Sequence, residues 1–255
     1  MEKKDLFNED VQNYDRWRPR YCPELFSAVF GYSGAGAGSR VLEVGIGTGQ
    51  ATEPFLAAGC SVTAVEYGGR LADYCRQKFK AYPRFQVVNL PFETFEAEDN
   101  SFDLIYSATA FHWIPEKNGY SKAFSLLKRG GTLALFWNRP FVGRAGDPLH
   151  QNIQALYEKY RPGGKPPKED ETDRYCSLSV LKRYGFAKPA FRQFHQTRWF
   201  RAEDYVCLLN TYSDHRAMPD DVRTRFECEI RAAIEKAGGF LKVYDTIDLY
   251  LAQKP

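Results

Sequence analysis

Three glycines at alternate positions, Gly45, Gly47 and Gly49, follow the apolar run 41–44, which carries one acid, Glu43. A second acid, Glu66, closes the next apolar run, 21 residues after Gly45. Glycine lacks a Cβ, so such a turn reaches unusual backbone angles and lets N–H groups approach a ligand closely. A carboxylate at the end of the neighbouring strand accepts the hydroxyl hydrogens of a ribose. These residue types describe a turn that holds an adenosine. Further on, His112 lies in the stretch 107–114 and has the side chain suited to moving a proton near neutrality. His195 and His215 are weaker candidates, and His150 weaker still.

The elements that must position these groups follow from the apolar periodicity. Strands are expected at 41–44, 60–66, 85–90, 102–107 and 132–137, with helices at 50–58, 69–82 and 120–127 between them. The helix expected from Gln50 would aim its free N–H groups at whatever lies over the turn. Pro83 stops the second helix, and Lys128, Arg129, Gly130 and Gly131 close the third. Strands alternating with helices make a parallel sheet covered on both faces, with the ligand crevice at the carboxyl ends of the strands. Residues 45–50, 66–67, 92–93 and 107–113 all converge there.

The second half reads differently. Asp147-Pro148 starts a helix carrying Ile153, Leu156, Tyr157 and Tyr160, and residues 161–172 form a polar loop. A short helix is expected at 175–184, a strand at 189–200 and a helix at 203–212. A polar break follows at 213–216, then a long helix at 219–237 with Val222, Phe226, Ile230 and Ala233 on one face, and a last strand at 240–251. The expected organisation is 1–140 as strap and cofactor half, 141–185 as a helical cap, and 186–255 as closing strands with a second cap segment at 201–238. The cap is rich in Arg, Tyr and Trp (Arg198, Trp199, Tyr212 and Arg216 among them), which suits a small acidic or aromatic acceptor.

The glycine spacing is G-x-G-x-G after an acid; the dinucleotide fingerprint G-x-G-x-x-G would need glycine at Gln50. With Glu43, Glu66, the His112-Trp113 loop and the Gly130-Gly131 entry to the fifth strand, the chain resembles the Rossmann-like S-adenosylmethionine-dependent methyltransferases. Within them it is similar to the type 11 small-molecule branch, which includes the trans-aconitate type. The resemblance is clear over 41–137 and loose in the flanks.

The resemblance implies a doubly wound α/β fold with a mostly parallel seven-stranded sheet and a helical cap. It also implies S-adenosyl-L-methionine as cofactor and in-line methyl transfer to a small molecule. Related enzymes carry a Tyr…Arg-Pro-x-Tyr-Pro stretch near the N-terminus. Here Tyr14, Arg18 and Tyr21 stand in that place, with Cys22 intruding before Pro23 and the arginine a candidate for the methionine carboxylate. The implied cofactor set is Tyr14, Arg18, Glu43, Gly45, Gly47, Gly49, Glu66, Tyr67, Phe92, Glu93 and Ser107, with His112 the candidate base. Many relatives place an aspartate against the adenine; Asn89 and Glu93 are the nearest polar residues here. Nucleic-acid amino-methyltransferases place an Asn/Asp-Pro-Pro-aromatic motif after the fourth strand, where this chain has Ser-Ala-Thr-Ala at 107–110. A nicotinamide-dependent oxidoreductase and a non-catalytic cofactor binder are the alternatives on the same fold.

Composition agrees with this class. The chain has 255 residues, 44% hydrophobic and 26% charged, and a formal net charge of +3, too mild for a nucleic-acid surface. No apolar run is long enough to span a bilayer. Six scattered cysteines without a C-x-x-C pair point to reduced thiols, a cytoplasmic setting and no metal site.

Overall fold

The computed structural model describes residues 10–162 and 176–255. The chain begins with helices α1 (Val11–Trp17) and α2 (Pro23–Ser33). Strand β1 (Arg40–Val44), helix α3 (Glu53–Ala57), strand β2 (Ser61–Val65), helix α4 (Gly69–Lys78) and strand β3 (Phe85–Val88) follow. Next come β4 (Phe102–Ala108), α5 (Glu116–Leu126) and β5 (Leu127–Pro140). The second half contains α6 (Pro148–Tyr160), α7 (Leu178–Arg183), β6 (Ala187–Arg201), α8 (Ala202–Leu209), α9 (Ser213–Arg216), α10 (Asp220–Lys236) and β7 (Phe240–Gln253).

The seven strands form one sheet in the order β3-β2-β1-β4-β5-β7-β6. Strands β1 to β5 pair in parallel, with Val41 opposite both Val62 and Leu104. The pairs Gly130–Lys254 and Phe141–Tyr244 make β7 antiparallel to β5. The order reverses between β1 and β4, so a ligand crevice is expected outside their carboxyl ends.

The chain divides into two compact units. The sheet unit comprises the described residues of Pro19–Asn138, Thr172–Phe194 and Ile247–Pro255. Consecutive residues of β1 pack into different cores. Val41 joins Leu25, Phe55, Val62, Cys75 and Leu104 on one face, while Leu42 joins Ile105, Ala123, Leu126, Leu133 and Trp137 on the other. That two-sided burial is why the strand reads as an unbroken apolar run. The helical unit comprises the described residues of Met1–Arg18, Arg139–Glu171 and His195–Thr246. Its core sets Ile153 of α6, Val206 and Leu209 of α8, and Phe226, Ile230 and Ile234 of α10 together.

Three local expectations need correction. The first helix after the glycines starts at Glu53, not Gln50, and has five residues. Thr52, at its N-cap, gives its hydroxyl to Glu43 and makes no side-chain cap. Residues 213–216 are a helical turn, where the Tyr212–Arg216 and Ser213–Ala217 backbone bonds close the expected polar break. The stripe of α10 ends on buried Ile234 rather than Ala233. Most of the expected polar loop 161–172 lies outside the described residues.

Candidate functional site

The glycine turn is built by contacts on every side. Gly45, Gly47 and Gly49 have φ of 74°, 59° and 80°, the left-handed region that side-chain-bearing residues rarely adopt. Space is a second constraint. A Cβ on Gly45 would stand 2.5 Å from Ala110 Cβ, and one on Gly49 would stand 2.4 Å from the Phe79 ring. From below, the Cys75 thiol donates to the Gly47 carbonyl at 3.2 Å and Lys78 Nζ to the Thr48 carbonyl at 2.8 Å. Both donors come from α4, so the turn is fixed to the helix after β2.

Glu66 completes this edge. Its Oε2 accepts the Gly47 N–H and its Oε1 the Gly68 N–H, each at 2.8 Å. Burial raises its pKa, and the backbone N–H groups of Gly68, Gly47 and Tyr67 pull it back. An ionised carboxylate offers about four lone-pair directions, so these N–H groups leave capacity for a ribose hydroxyl. Asn89 at the end of β3 donates its amide to the carbonyls of Glu66 and Tyr67 at 2.8 and 2.9 Å. It acts as a clamp on the Glu66 turn. Tyr67 itself exposes 45% of its surface beside it.

Glu43 lies beneath the turn and is 1% exposed. Its Oε2 accepts the Tyr106 hydroxyl at 2.6 Å and the Thr52 hydroxyl at 2.7 Å. Among the described residues no donor reaches Oε1. Burial raises the Glu43 pKa to about 7, against the pull of the Tyr106 and Thr52 hydroxyls. The register explains the trio. Val41 and Glu43 alternate with Leu42, so Glu43 points toward the face that also takes Tyr106 and α3. Tyr106 and Thr52 were missed by the sequence reading; the signal was a tyrosine and a threonine inside otherwise apolar stretches.

The exit from β4 forms the facing wall. Thr109 has φ 55°, a strained state for a β-branched residue. It is held by its N–H to the Phe136 carbonyl at 2.8 Å, and by its hydroxyl to Tyr21 at 2.8 Å and to the Asn138 N–H at 3.3 Å. Backbone strain held in this way collects at functional sites. This conformation brings Ala110 against Gly45. Next to it, Trp137 Nε1–H donates to His112 Nδ1 at 3.0 Å. Indole nitrogen only donates, so Nδ1 must accept and the neutral ring carries its proton on Nε2. A ring held this way has no lone pair left to take a proton. While this bond stands, His112 is a donor-type ring, which sets a condition on the general-base role expected of it.

Other expected site residues divide. Ser107 is fully buried and gives its hydroxyl to the Val44 carbonyl at 2.7 Å, tying β4 to β1. Its side chain does not face the crevice, because it lies in the interior of the sheet. Phe92 is buried in the α5-side core, 6.4 Å from the Phe111 ring, which leaves its backbone N–H as the group it can present. Glu93 is exposed, and its carbonyl accepts Lys122 Nζ. Tyr14 and Arg18 belong to the helical unit, where the Arg18 guanidinium stacks 5.0 Å from the Tyr14 ring and 4.6 Å from the Tyr212 ring. The five-residue α3 is too short to supply the helix-end field expected of it. The Gly45, Gly47 and Gly49 N–H groups are given to the Val65 carbonyl, to Glu66 and to the Ile46 carbonyl, so the glycines serve a ligand by letting it approach closely.

Among the described residues no cluster of His, Cys, Asp and Glu suits a metal, and no helix is long and apolar enough to cross a membrane. All six cysteines are free thiols.

A crevice at the reversal of a doubly wound sheet, with a left-handed glycine turn and a ribose-type carboxylate, defines a nucleoside-cofactor protein. Comparison with known proteins sharpens that class. A methyltransferase-domain family matches residues 41–131. A methyltransferase of Schizosaccharomyces pombe, itself uncharacterised, is 24% identical over 90% of this chain and 87% of its own length. An uncharacterised methyltransferase of Mycobacterium bovis is 30% identical over 58% of this chain, and the match spans 63% of that protein's length. In structure, phosphoethanolamine N-methyltransferase 2 of Haemonchus contortus, with S-adenosylhomocysteine bound, superposes with a TM-score of 0.59. At 12% identity, covering 100% of this chain and 60% of that one, the likeness shows the fold. Residues 41–131 therefore carry a methyltransferase domain, and the likeness to these relatives supports S-adenosyl-L-methionine as the cofactor. The nicotinamide reading finds no support in these matches.

Proposed function

We propose that this enzyme methylates a small-molecule acceptor whose nucleophilic atom needs no proton removed by His112. The observation that carries the reading is the Trp137–His112 bond, which occupies the imidazole lone pair in the wall beside the glycine turn. The residues present fit the cofactor: a turn with no room for a Cβ at Gly45 or Gly49, and a Glu66 carboxylate whose N–H partners leave it capacity for a ribose hydroxyl. Gly45, Gly47 and Gly49 would let it lie close against bare backbone, and Glu66 would hold it through the ribose, with Tyr67 and the Phe92 N–H along its base. Bound there, S-adenosylmethionine supplies an electrophilic methyl group on a sulfonium.

The chain's own contribution is alignment and exclusion of water. Thr109, pinned by Tyr21 and Asn138, holds the wall rigid. His112 orients through its Nε2 proton. Glu43 fixes Tyr106 and Thr52 under the turn. A carboxylate oxygen, a thiolate or a nucleophilic carbon meets these conditions. The mild net charge and the absence of a Pro-Pro motif after β4 favour a small molecule over a nucleic acid, and the cysteine usage favours the cytoplasm.

The test is a labelled-methyl screen over pooled small acids, phenols and amines, beside total RNA and protein. Label in low-mass products supports the reading. Label in macromolecules alone, or in nothing while S-adenosylhomocysteine binds, would overturn it.

A further inference from the structure

The helical unit buries a guanidinium nitrogen that the carboxylate facing it does not answer. Arg198 grips Asp245 with two nitrogens, Nε to Oδ2 at 2.5 Å and Nη2 to Oδ1 at 3.0 Å. Asp245 is 1% exposed, and the Arg198 side chain is 18% exposed. The third nitrogen, Nη1, is buried, and among the described residues nothing accepts its hydrogens. The Arg18 guanidinium lies in the same cluster. It stacks on Tyr212 and repels the charge on Arg198, while both arginines draw down a Tyr212 phenol that burial pushes up.

The same cluster carries a second buried polar atom in want of a partner. His215 is 3% exposed, and its Nε2 bonds the Tyr157 hydroxyl at 3.0 Å. Its Nδ1 is buried and finds no partner among the described residues. The His215 ring stands 6.0 Å from that of Tyr212.

A buried donor left unmade is costly, and native structures rarely keep one without a use. Arg198 thus keeps one guanidinium nitrogen without an acceptor in a medium that stabilises charge poorly, and Arg18 places a second positive charge near it. An oxyanion answers both needs, since guanidinium nitrogens match carboxylate and phosphate oxygens in geometry and charge.

We propose that the helical unit holds an oxyanion site, in which Arg198 Nη1 donates to a carboxylate or phosphate oxygen of a small molecule and Arg18 supplies the second positive charge. The identification of that molecule as the methyl acceptor rests on the function proposed above; the site itself does not.

The experiment is calorimetric titration of the full chain with inorganic phosphate, with succinate, and with the neutral dimethyl ester of succinate. Saturable binding of phosphate or succinate at millimolar concentration or below, with the ester silent, is expected, and the anion that binds names the headgroup. Arg198→Gln should weaken it about tenfold or more, and Arg198→Lys should restore part of it. Because Arg198→Gln strands Asp245, the neutralised pair Arg198→Gln/Asp245→Asn serves as the folded control and should also lose the anion. Binding of S-adenosylhomocysteine in each variant reports the fold and the cofactor crevice separately, and its absence from the unmodified chain would count against the methyltransferase reading alone. The proposal is overturned if neither anion saturates, if the variants bind them as the unmodified chain does, or if saturating S-adenosylhomocysteine abolishes the binding. The last result would assign the guanidinium to the cofactor's own carboxylate.

Discussion

The two units answer their buried ionisable groups in different ways. In the sheet unit the buried groups are acids, Glu43 and Glu66. Their donors are backbone N–H groups and two hydroxyls held in place by the glycine turn and the strand register. In the helical unit they are of both signs, Arg198 against Asp245 and His215 against Tyr157, and each partner is a side chain on another segment. The acids are fixed by the scaffold and so suit a cofactor whose shape never changes. The groups of the helical unit depend on side chains that substitution easily alters, which suits the part of a ligand that differs between related enzymes.

The largest effect that tests this contrast is loss of the turn. Gly45→Ala must adopt φ 74° and place its Cβ 2.5 Å from Ala110. Left-handed strain and overpacking together amount to about 3 kcal/mol, or roughly 100-fold in affinity. S-adenosylhomocysteine binding should fall by that factor, while Gly36→Ala, with open space around it, should bind normally. Near-normal binding by Gly45→Ala would mean the scaffold is not what holds the ligand.

Next in size is the pH dependence of stability, where Glu43 of the sheet unit and His215 of the helical unit should pull in opposite directions. Glu43 has a folded pKa of about 7, above its ordinary 4.5, so the folded chain holds a proton that the unfolded chain has released between those values. Its contribution is full below about pH 4.5 and is lost as pH rises through 7, on the order of 3 kcal/mol for so buried a group. His215 is held to about 4 by burial, below its ordinary 6.5, with the Asp214 carboxylate acting against that shift. Its contribution is full above pH 6.5 and is lost as pH falls through 4. Denaturant melts of Glu43→Gln should lose the decline between pH 4.5 and 7, and those of His215→Gln should lose part of the acid limb. If both variants kept the parent's pH profile, the contrast in sign would fail.

The smallest effect concerns the wall. Trp137→Phe frees His112 Nδ1 without adding charge. The parent's methyl-transfer rate should show no step near the histidine range; the variant should be a few-fold slower, and such a step should appear as the ring gains a usable lone pair. A step already present in the parent that His112→Gln removes would assign His112 the general-base role.

Much of the crevice was legible because its signals are local. The two-sided burial of β1, the left-handed turn and the acid ending β2 all lie in short stretches whose pattern allows few structures. What was not legible depends on register and distance. Ser107 and Phe92 lie beside the crevice in sequence, yet their side chains turn into the sheet and the α5-side core. Thr52 looked like part of a helix because nothing nearby shows that its hydroxyl belongs to Glu43. The stretch 8–30 reads as one strap; the structure groups its described residues up to Arg18 with the helical unit, where Asn13 donates to the Cys207 carbonyl at 2.9 Å across 194 residues, and those from Pro19 with the sheet unit. Arg198 and Asp245 likewise stand 47 residues apart and meet through the pairing of β6 and β7.

The central claim is that the glycine turn and Glu66 together hold the cofactor's nucleoside. Calorimetry with S-adenosylhomocysteine on the parent chain and on Glu66→Ala tests it most directly. The account expects one molecule bound per chain and a loss of about tenfold or more in the variant, as a charge-assisted ribose bond disappears. No binding at millimolar ligand, or equal binding by both proteins, would contradict it.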